Sequence, residues 1–413
     1  MPEFSYIVII LLGVITFAAL SRRIETSIIT LPMVFTSFGW LIGQGGAQLV
    51  PIHAEHEVIQ SIAEITLILV LFSDASRVDF RELRNNYAIP ARMLFVGMPL
   101  TILLGTLTVY WVTPDTPWAV ALLVAAILTP TDAALGQTVV TSPVVPMRLR
   151  EGINVESGLN DGLVLPVVMI AAIVSAEMAG HKAEGLPDNV ALFALMQVVL
   201  GPLTGITIGY FFARILDVAI NAQLITIVFQ GIYFLCTAFL SFATAELIGG
   251  NGLIAAFVAG LAFGNTLRNS SNFIDEFMEG EGQLLTMFTF LIFGAVMAPL
   301  GIEHANWKTL VLATLFLSVI RMLPIWLSLS SSGLNSYEKI FLGWFGPRGL
   351  ASILFALLIL ERFSIPGHDE ILSCVVLTVM LSIVLHGVSA NPMSNRFKQR
   401  SKPAADTQKV EEY

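Results

Sequence analysis

The chain has 413 residues, of which 55% are hydrophobic and only 12% are charged, and its mean hydropathy is +0.80. Soluble domains carry about 25% charged residues, so this chain lacks the polar surface that a water-soluble globule needs. The same composition excludes a disordered or collagen-like chain. No basic run or basic-aromatic patch lies outside the short tail, which argues against a nucleic-acid partner, while the formal net charge of -9 says little about partners of a chain that faces lipid. What remains is an all-α polytopic membrane protein, whose surroundings are the lipid bilayer.

Apolar runs that end at charged, glycine-containing or proline-containing segments predict thirteen transmembrane helices, since about 20 apolar residues cross a bilayer. They cover residues 4–20, 27–43, 59–76, 86–112, 117–141, 152–178, 189–213, 222–247, 252–266, 282–301, 308–330, 338–360 and 370–390. Residues 1–390 are therefore predicted to form a single transmembrane domain, and residues 391–413 a short cytoplasmic tail. The N-terminus has no basic segment or cleavage site of a signal peptide, so the first run is interpreted as a true span.

The distribution of Lys and Arg orients these spans by the positive-inside rule. With the N-terminus outside, sixteen of the 21 basic residues fall in the inner loops and the tail, three fall in the outer loops and two lie within spans. A miscounted span would reverse this alternation in every later loop. The prediction is a multi-pass protein of the plasma (inner) membrane with a cytoplasmic C-terminus.

Two spans are interrupted in a similar way. The fifth contains Thr129-Pro130-Thr131-Asp132 and the twelfth contains Gly346-Pro347-Arg348-Gly349. Proline removes a helix hydrogen bond and clashes with the preceding turn, so both spans are predicted to be discontinuous. Because the two spans are seven positions apart, the first six and the last six spans form two units with opposite orientations. Paired interruptions in inverted repeats are typical of secondary transporters that bind their substrate near the membrane midplane.

Four polar residues of the sixth span share one helical face. Glu156, Ser157, Asn160 and Asp161 fall within an arc of about 140°, at about 100° per residue. An ionisable residue at the bilayer centre costs about 2.5–3.5 kcal/mol, so each acid requires a function. Unwinding at Pro130 leaves backbone carbonyls without helical partners. Carboxylate, hydroxyl and carbonyl oxygens together suit a monovalent cation such as Na⁺ or K⁺, and the lack of His and Cys ligands argues against zinc or copper.

The carboxylates of Asp132 and Asp161 must also bind protons, because burial disfavours the charged form of an acid. A group that holds either a proton or a metal cation couples the two ions by competition. Arg321 in the eleventh span and Arg348 in the twelfth are the complementary charges. Arg321 is the favoured ion-pair partner of Glu156, and Arg348 is interpreted as a support for the crossing of the two broken helices. The alternative for both arginines is a purely structural role.

The polar pattern resembles a known family. Thr131-Asp132 in a broken span, followed by Glu156-Ser157-x-x-Asn160-Asp161-Gly162 in the next, resembles the monovalent cation/proton antiporters of the NhaP type. Gly346-Pro347-Arg348-Gly349 and the glycine-rich segment 252–265 of the ninth span also match. The resemblance covers about residues 4–390, and its specific part is the Asn160-Asp161 pair with the upstream glutamate.

The resemblance implies the NhaA/NhaP-like fold of two inverted six-helix repeats with crossed discontinuous helices. Within it, the core spans lie at about residues 86–178 and 308–390, and the dimerisation spans lie at about 4–76 and 222–301. The resemblance further implies a homodimer that works by alternating access.

The resemblance also implies the site. The family's cation ligands and the residues that brace them carry over to Thr131 (backbone), Asp132, Ser157, Asp161, Asn160 and Glu156. In electrogenic relatives an aspartate stands at the position of Asn160. Because Asn cannot take a proton, one-for-one, electroneutral exchange is implied.

The leading hypothesis is a secondary active transporter that exports Na⁺ or Li⁺ in exchange for H⁺, with no enzymatic activity and no cofactor. K⁺ as the substrate is the alternative, because the oxygen ligands do not separate the two cations. A passive cation channel is the hypothesis from a different class, but channels usually repeat a pore motif around an axis instead of inverting it. An intramembrane aspartyl protease would also use two aspartates, but the Thr-Pro break beside Asp132 suits cation binding. His386 in the last span is interpreted as a packing histidine.

Overall fold

The computed structural model describes residues 3–25, 29–49, 57–78, 80, 87–132, 135–180, 190–268, 272–363, 365 and 367–400. Within these residues the regular structure is helical, and no β-strand is present. A backbone in lipid must satisfy its polar groups within its own segment, which a helix does. The all-α fold class predicted from composition is therefore confirmed.

The helices, in chain order, are α1 (Glu3–Glu25), α2 (Leu31–Ile42), α3 (Glu57–Ser76), α4 (Ala88–Arg92), α5 (Met98–Val112), α6 (Trp118–Ile127), α7 (Gln137–Val140), α8 (Met147–Met178), α9 (Val190–Asn221), α10 (Ile227–Leu247), α11 (Gly252–Thr266), α12 (Asn272–Ile292), α13 (Ala298–Glu303), α14 (Trp307–Leu317), α15 (Val319–Ser328), α16 (Ser336–Trp344), α17 (Leu350–Arg362) and α18 (His368–Arg400). A π-helical turn at Met93–Gly97 joins α4 to α5, and another at Phe293–Met297 joins α12 to α13. Each is followed by a proline, Pro99 or Pro299, whose missing N–H interrupts the regular hydrogen-bond ladder.

Each of the thirteen predicted runs overlaps one helix or consecutive helical segments, with ends that differ by up to about ten residues. Among the described residues, eight helices are long and apolar enough to cross a membrane, and four further apolar helices are shorter. The short ones include α6 and α17, which belong to the two spans predicted to be discontinuous. The multi-pass architecture is therefore confirmed, while the count of thirteen crossings stays a prediction.

Both predicted interruptions are present. α6 ends at Ile127 and α7 begins at Gln137, while α16 ends at Trp344 and α17 begins at Leu350. The chain leaves the helical region at Phe345, where φ is -78° and ψ is 63°. The prolines predicted the breaks correctly because the lost N–H and the clash with the preceding turn are local effects.

The eleventh span is also interrupted, which the sequence does not predict. α14 ends at Leu317 and α15 begins at Val319, with Ser318 between them at φ -113° and ψ -98°. No proline or glycine lies at this point, and Pro324 follows only six residues later. The new helix begins just before Arg321, which therefore lies in the first turn of α15.

Glycines let three helices pack backbone against backbone. Gly205 and Gly209 of α9 lie against the backbone of Ala259 on α11, and Gly260 of α11 lies against the backbone of Phe72 on α3. A Cβ atom at any of these glycines would clash with main-chain atoms. Small residues at helix interfaces allow the close van der Waals packing that associates helices in lipid. α3 is fixed in this way to α11, and α11 to α9.

Two groups of packed helices meet at α3, α8 and α11. In one group, α6 packs on α5 and α8, α15 packs on α5, α14 and α16, and α18 packs on α14 and α17. In the other, α11 packs on α3, α9 and α10, and α12 packs on α2. The groups touch where α3 contacts α8 and α17, where α11 contacts α8, and where α13, which continues α12, packs on α18. The division into a core and a dimerisation unit stays a prediction.

The last helix is longer than the predicted span. α18 runs from His368 to Arg400, ten residues past the predicted boundary at 390. Its end packs on α16, since the Tyr337 hydroxyl donates to the Met393 carbonyl at 2.6 Å and the Phe397 ring lies 5.1 Å from the Tyr337 ring. The first part of the predicted tail is therefore helix packed on the transmembrane domain, and residues 401–413 lie outside the described residues.

Candidate cation site

The two discontinuous spans cross and hydrogen-bond to each other through their breaks. The Asp132 N–H donates to the Pro347 carbonyl at 2.9 Å, and the Leu350 N–H donates to the Asp132 Oδ2 atom at 2.8 Å. The Ser352 hydroxyl donates to the Ile127 carbonyl at 2.7 Å. Each break thus satisfies polar groups that the other leaves without helical partners. The crossing fixes both the backbone and the carboxylate of Asp132.

The two glycines of the twelfth-span motif are required by close approach at this crossing. A Cβ atom at Gly349 would contact the Asp132 carboxylate, and one at Gly346 would contact the Arg321 guanidinium. Neither position has room for a side chain unless a charged neighbour moves. The two glycines of Gly346-Pro347-Arg348-Gly349 are therefore explained by close packing against the Asp132 and Arg321 side chains.

α8 supports the break of the fifth span from the side. The Ser157 hydroxyl donates to the Thr131 carbonyl, and the Asn160 amide donates to the Thr131 hydroxyl at 2.6 Å. The Oδ1 atoms of Asn160 and Asp161 are buried, and neither has a hydrogen-bond partner among the described residues. Buried polar atoms are nearly always satisfied in folded proteins, so an orphaned carboxylate oxygen indicates a position where a cation or a proton binds.

A cavity of about 330 Å³ lies beside the crossing, between α3, α8 and α12. Four of the six predicted cation-site residues line it: Thr131, Asp132, Ser157 and Asp161. The other two, Glu156 and Asn160, do not line the cavity and instead support the residues that do. Glu156 pairs with Arg321, and Asn160 holds the Thr131 hydroxyl. The cavity wall therefore offers carboxylate, hydroxyl and backbone oxygens in one place.

Asp74 is a cavity residue that the sequence pattern did not reveal. It lies on α3 and lines the cavity together with Arg77. It is close enough to Asp132 and Asp161 for the three carboxylates to interact electrostatically. The sequence does hold a signal that could have identified Asp74 as a site residue. Asp74 is an ionisable residue inside the third predicted span, where such a residue is costly. Its position two residues before the predicted end of that span is typical of an interfacial residue.

Glu156 forms a bidentate ion pair with Arg321. The Arg321 Nη1 and Nη2 atoms donate to the two carboxylate oxygens, the second at 2.7 Å. Glu156 is 1% exposed and Arg321 is 2% exposed. This is the partner that the charge count favours, and the contact joins α8 to α15. Arg348, which is fully buried, donates instead to the Gly346 carbonyl within its own break.

Removing one charge of this pair is expected to destabilise the protein more than removing both. Glu156→Gln leaves the Arg321 charge buried without its carboxylate, and breaking a buried pair costs about 3–5 kcal/mol. The double variant Glu156→Gln/Arg321→Met removes both charges and keeps the volume filled, so its melting temperature is expected to lie between those of the single variant and the wild type. Tryptophan fluorescence of detergent-solubilised protein measures the three melting temperatures. A single variant as stable as the double variant would contradict a stabilising pair.

The described residues contain no group of three or more His, Cys, Asp or Glu side chains placed to hold a metal ion together. The three acids that line the cavity come from separate elements: α3, the break of the fifth span, and α8. An oxygen-only set that is open to a cavity suits a cation that enters and leaves.

Comparisons with known proteins agree with this architecture. The sequence profile of the family described as "Sodium/hydrogen exchanger, transmembrane" matches residues 7–396. The Na(+)/H(+) antiporter NhaH of Halobacillus dabanensis is 26% identical over 352 residues, which make up 82% of this chain and 84% of that protein. The K(+)/H(+) antiporter NhaP2 of Shewanella oneidensis is 23% identical over 358 residues, and the match spans 86% of this chain but only 61% of that protein.

Among solved structures, the sodium proton antiporter MjNhaP1 from Methanocaldococcus jannaschii has a TM-score of 0.74 to this chain at 18% identity, with 96% of this chain and 99% of that chain covered. This likeness confirms the predicted antiporter fold. These relatives are transporters and not enzymes. The family profile spans both broken helices and every residue of the cavity wall. This chain therefore belongs to the family of transmembrane sodium/hydrogen exchangers.

Proposed function

We propose that this protein is a secondary active antiporter that exchanges Na⁺ for H⁺ at the crossing of its two broken helices. The observation that carries the proposal is the cavity wall, in which Thr131, Asp132, Ser157 and Asp161 supply the oxygens that a hard monovalent cation binds. The relatives NhaH and NhaP2, named as Na(+)/H(+) and K(+)/H(+) antiporters, support this class of transport. K⁺ in place of Na⁺ is the second candidate, because one of these relatives is a K(+)/H(+) antiporter.

Competition at Asp161 couples the two ions. Its carboxylate binds either the cation, together with Asp132 and Ser157, or a proton. A bare buried carboxylate is costly, because burial removes the water that stabilises its charge. The site therefore changes sides only when Asp161 is loaded with a cation or a proton. Exchange follows when the loaded site faces the two sides of the membrane in turn.

The cavity leads from the site toward the predicted cytoplasmic side. Its wall includes Arg77 at the end of α3, Asn154 near the start of α8 and Gln283 in α12, all of which the positive-inside rule assigns to the cytoplasmic half. In the opposite direction, the Phe257 ring of α11 covers Gly162, the neighbour of Asp161. We assign this state as inward-facing, in a plasma membrane with the N-terminus outside. Opening to the outside then requires α8 to move past α11.

Everted membrane vesicles test the proposed exchange. With an acidified lumen, adding NaCl is expected to release protons from vesicles that contain the protein, and LiCl is expected to do the same. Vesicles from the same cells without the protein are the control. Proton release with KCl but not with NaCl or LiCl would establish the K⁺ alternative, and no release with any of the three salts would reject antiport.

We further propose that one proton moves per cation. Asn160 cannot titrate, and the Asp132 Oδ2 atom accepts from the N-terminal N–H of α17, where the helix dipole favours a negative carboxylate. Asp161 is then the residue that alternates between proton and cation. Clamping the membrane potential at zero with valinomycin and K⁺ is expected to change the rate of NaCl-driven exchange by less than about twofold, since no net charge moves. A strong response to potential would contradict the one-for-one ratio.

We also propose a homodimer through the spans at about 4–76 and 222–301. The support is α1, in which only 6% of the apolar segment Ile7–Ile24 is buried within the chain. A helix so little covered by its own chain has a broad apolar face for a second copy within the bilayer. Light scattering of the detergent-solubilised protein is expected to give about twice the chain mass of 44.8 kDa after subtraction of detergent. A mass of one chain would contradict the dimer.

A further inference from the structure

The break in the twelfth span removes several helical backbone hydrogen bonds, and one of them is that of the Arg348 N–H. In a continuous helix the Arg348 N–H would donate to the Trp344 carbonyl, four residues earlier. Here the Arg348 N–H donates instead to the Ser382 Oγ atom at 2.7 Å. The Trp344 carbonyl accepts from the Gly346 N–H at 2.8 Å and also lies 2.9 Å from the His386 Nε2 atom. The Ser382 Oγ and His386 Nδ1 atoms are 3.1 Å apart. Two side chains of α18 therefore bridge the gap that the lost bond leaves.

The partners determine which atom donates in this bridge. A carbonyl only accepts, so the His386 Nε2 atom carries the hydrogen and donates to the Trp344 carbonyl. The Ser382 hydroxyl accepts from the Arg348 N–H and donates its own hydrogen to His386 Nδ1. The Ser382 carbonyl also lies 3.0 Å from Nδ1, within the same helix. With the hydrogen on Nε2, one connected chain of hydrogen bonds runs from the Arg348 N–H through Ser382 and His386 to the Trp344 carbonyl.

The bridge acts on the segment that holds Asp132. Arg348 lies between Pro347, whose carbonyl accepts from the Asp132 N–H, and the N-terminus of α17, where the Leu350 N–H donates to the Asp132 carboxylate. A shift of the Arg348 backbone moves both of these groups. The position of the Asp132 carboxylate therefore depends on where Ser382 holds Arg348.

The surroundings make the bridge rigid. Ser382 and His386 are buried and lie one turn apart on the same face of α18. The His386 ring packs on the Trp344 ring with their centroids 5.0 Å apart, and the Trp344 Nε1 atom donates to the Ser389 hydroxyl at 2.8 Å. The end of α16 is thus attached to α18 through both its backbone and its side chain.

We propose that Ser382 and His386 are positioning residues of the cation site: their side-chain bridge replaces the lost Arg348–Trp344 hydrogen bond and holds the break in the shape that orients Asp132. The proposal rests on the proposed antiport function and extends it to two residues of α18 that touch no transported ion. It assigns His386 more than the packing role expected from the sequence.

Matched substitutions separate positioning from general stability. His386→Leu removes both ring hydrogen bonds, whereas His386→Gln keeps an amide donor for the Trp344 carbonyl and an acceptor for Ser382. Ser382→Ala removes the hydroxyl, whereas Ser382→Thr keeps it. Thr378→Val is the control, because Thr378 is a buried residue of α18 whose hydroxyl donates within its own helix, to the Cys374 carbonyl at 2.7 Å.

Three quantities are measured for each variant: the apparent KM for NaCl in vesicles, the maximum rate and the melting temperature. KCl replaces NaCl if the wild type exchanges K⁺. His386→Leu and Ser382→Ala are each expected to raise the apparent KM about tenfold or more, because each removes both hydrogen bonds that its side chain makes in the bridge. The maximum rate is expected to change less than about threefold, because Asp161 is untouched. His386→Gln, Ser382→Thr and Thr378→Val are expected to stay within about twofold of the wild-type KM.

The outcomes distinguish failure of the proposed antiport function from failure of the positioning role of Ser382 and His386. If the wild type exchanges none of the salts, the proposed function fails. If the wild type exchanges ions but His386→Leu and Ser382→Ala keep its KM, only the positioning role is overturned. The positioning role is also overturned if His386→Gln raises KM as much as His386→Leu, or if the variants lose melting temperature and rate without a KM change. Should His386→Leu fail to accumulate in membranes, the Ser382→Ala and Ser382→Thr pair decides between these outcomes.

Discussion

Asp161→Asn is expected to abolish cation/proton exchange while the protein remains folded. Asparagine keeps the shape of the side chain and one oxygen, but it carries no charge for the cation and cannot take up a proton. Losing the charged partner of a buried cation costs about 3 kcal/mol or more, which corresponds to a rate at least about 100-fold lower at limiting salt. The initial rate of proton release on adding NaCl or KCl to vesicles, normalised to the amount of protein, measures the loss.

The matched control for this experiment is Asp115→Asn, which makes the same chemical change on an exposed residue between α5 and α6. Its rate is expected to equal that of the wild type. The melting temperature of Asp161→Asn is expected to equal or exceed the wild-type value, because the substitution removes a buried charge. If Asp161→Asn retained more than a tenth of the wild-type rate, Asp161 would not be the residue at which cation and proton compete.

The breaks of the fifth and twelfth spans were predictable because their cause is local. Pro130 and Pro347 each remove one donor and clash with the preceding turn, whatever the rest of the fold does. The break at Ser318 has no such residue, and it became visible only in the packed structure. The same contrast applies to the site. Scarcity of intramembrane charge singled out Glu156 and Arg321, whereas the role of Asp74 depends on how α3 packs beside the crossing.

The polar face of α8 shows what helical periodicity can and cannot predict about the site. The arc of about 140° predicted that the four polar residues share one side of the helix. In the fold, that side is divided between two environments. Ser157 and Asp161 line the cavity, while Glu156 reaches Arg321 on α15. Spacing along the helix places residues on a face, but the neighbouring helices decide which of them meet the ion.

Gly349→Ala is expected to impair transport strongly although it replaces none of the predicted ligands. The added Cβ atom would contact the Asp132 carboxylate and lie 2.6 Å from the Leu135 Cδ1 atom, so the carboxylate must move. Overpacking of this kind costs about 1–3 kcal/mol, and because it acts on the position of Asp132 we expect an apparent KM for the cation at least about tenfold higher. Gly280→Ala on α12 is the control, since no neighbour among the described residues lies within 4 Å of its added Cβ atom.

The comparison of Gly349→Ala with Gly346→Ala tests the explanation of the motif. At Gly346 the added Cβ atom meets the Arg321 guanidinium, which pairs with Glu156 outside the cavity wall. Gly346→Ala is therefore expected to lower the melting temperature more than it raises KM, and Gly349→Ala is expected to do the reverse. Equal effects of the two substitutions on both quantities would mean that the glycines serve only general packing, and that the Asp132 carboxylate does not depend on the space that Gly349 leaves.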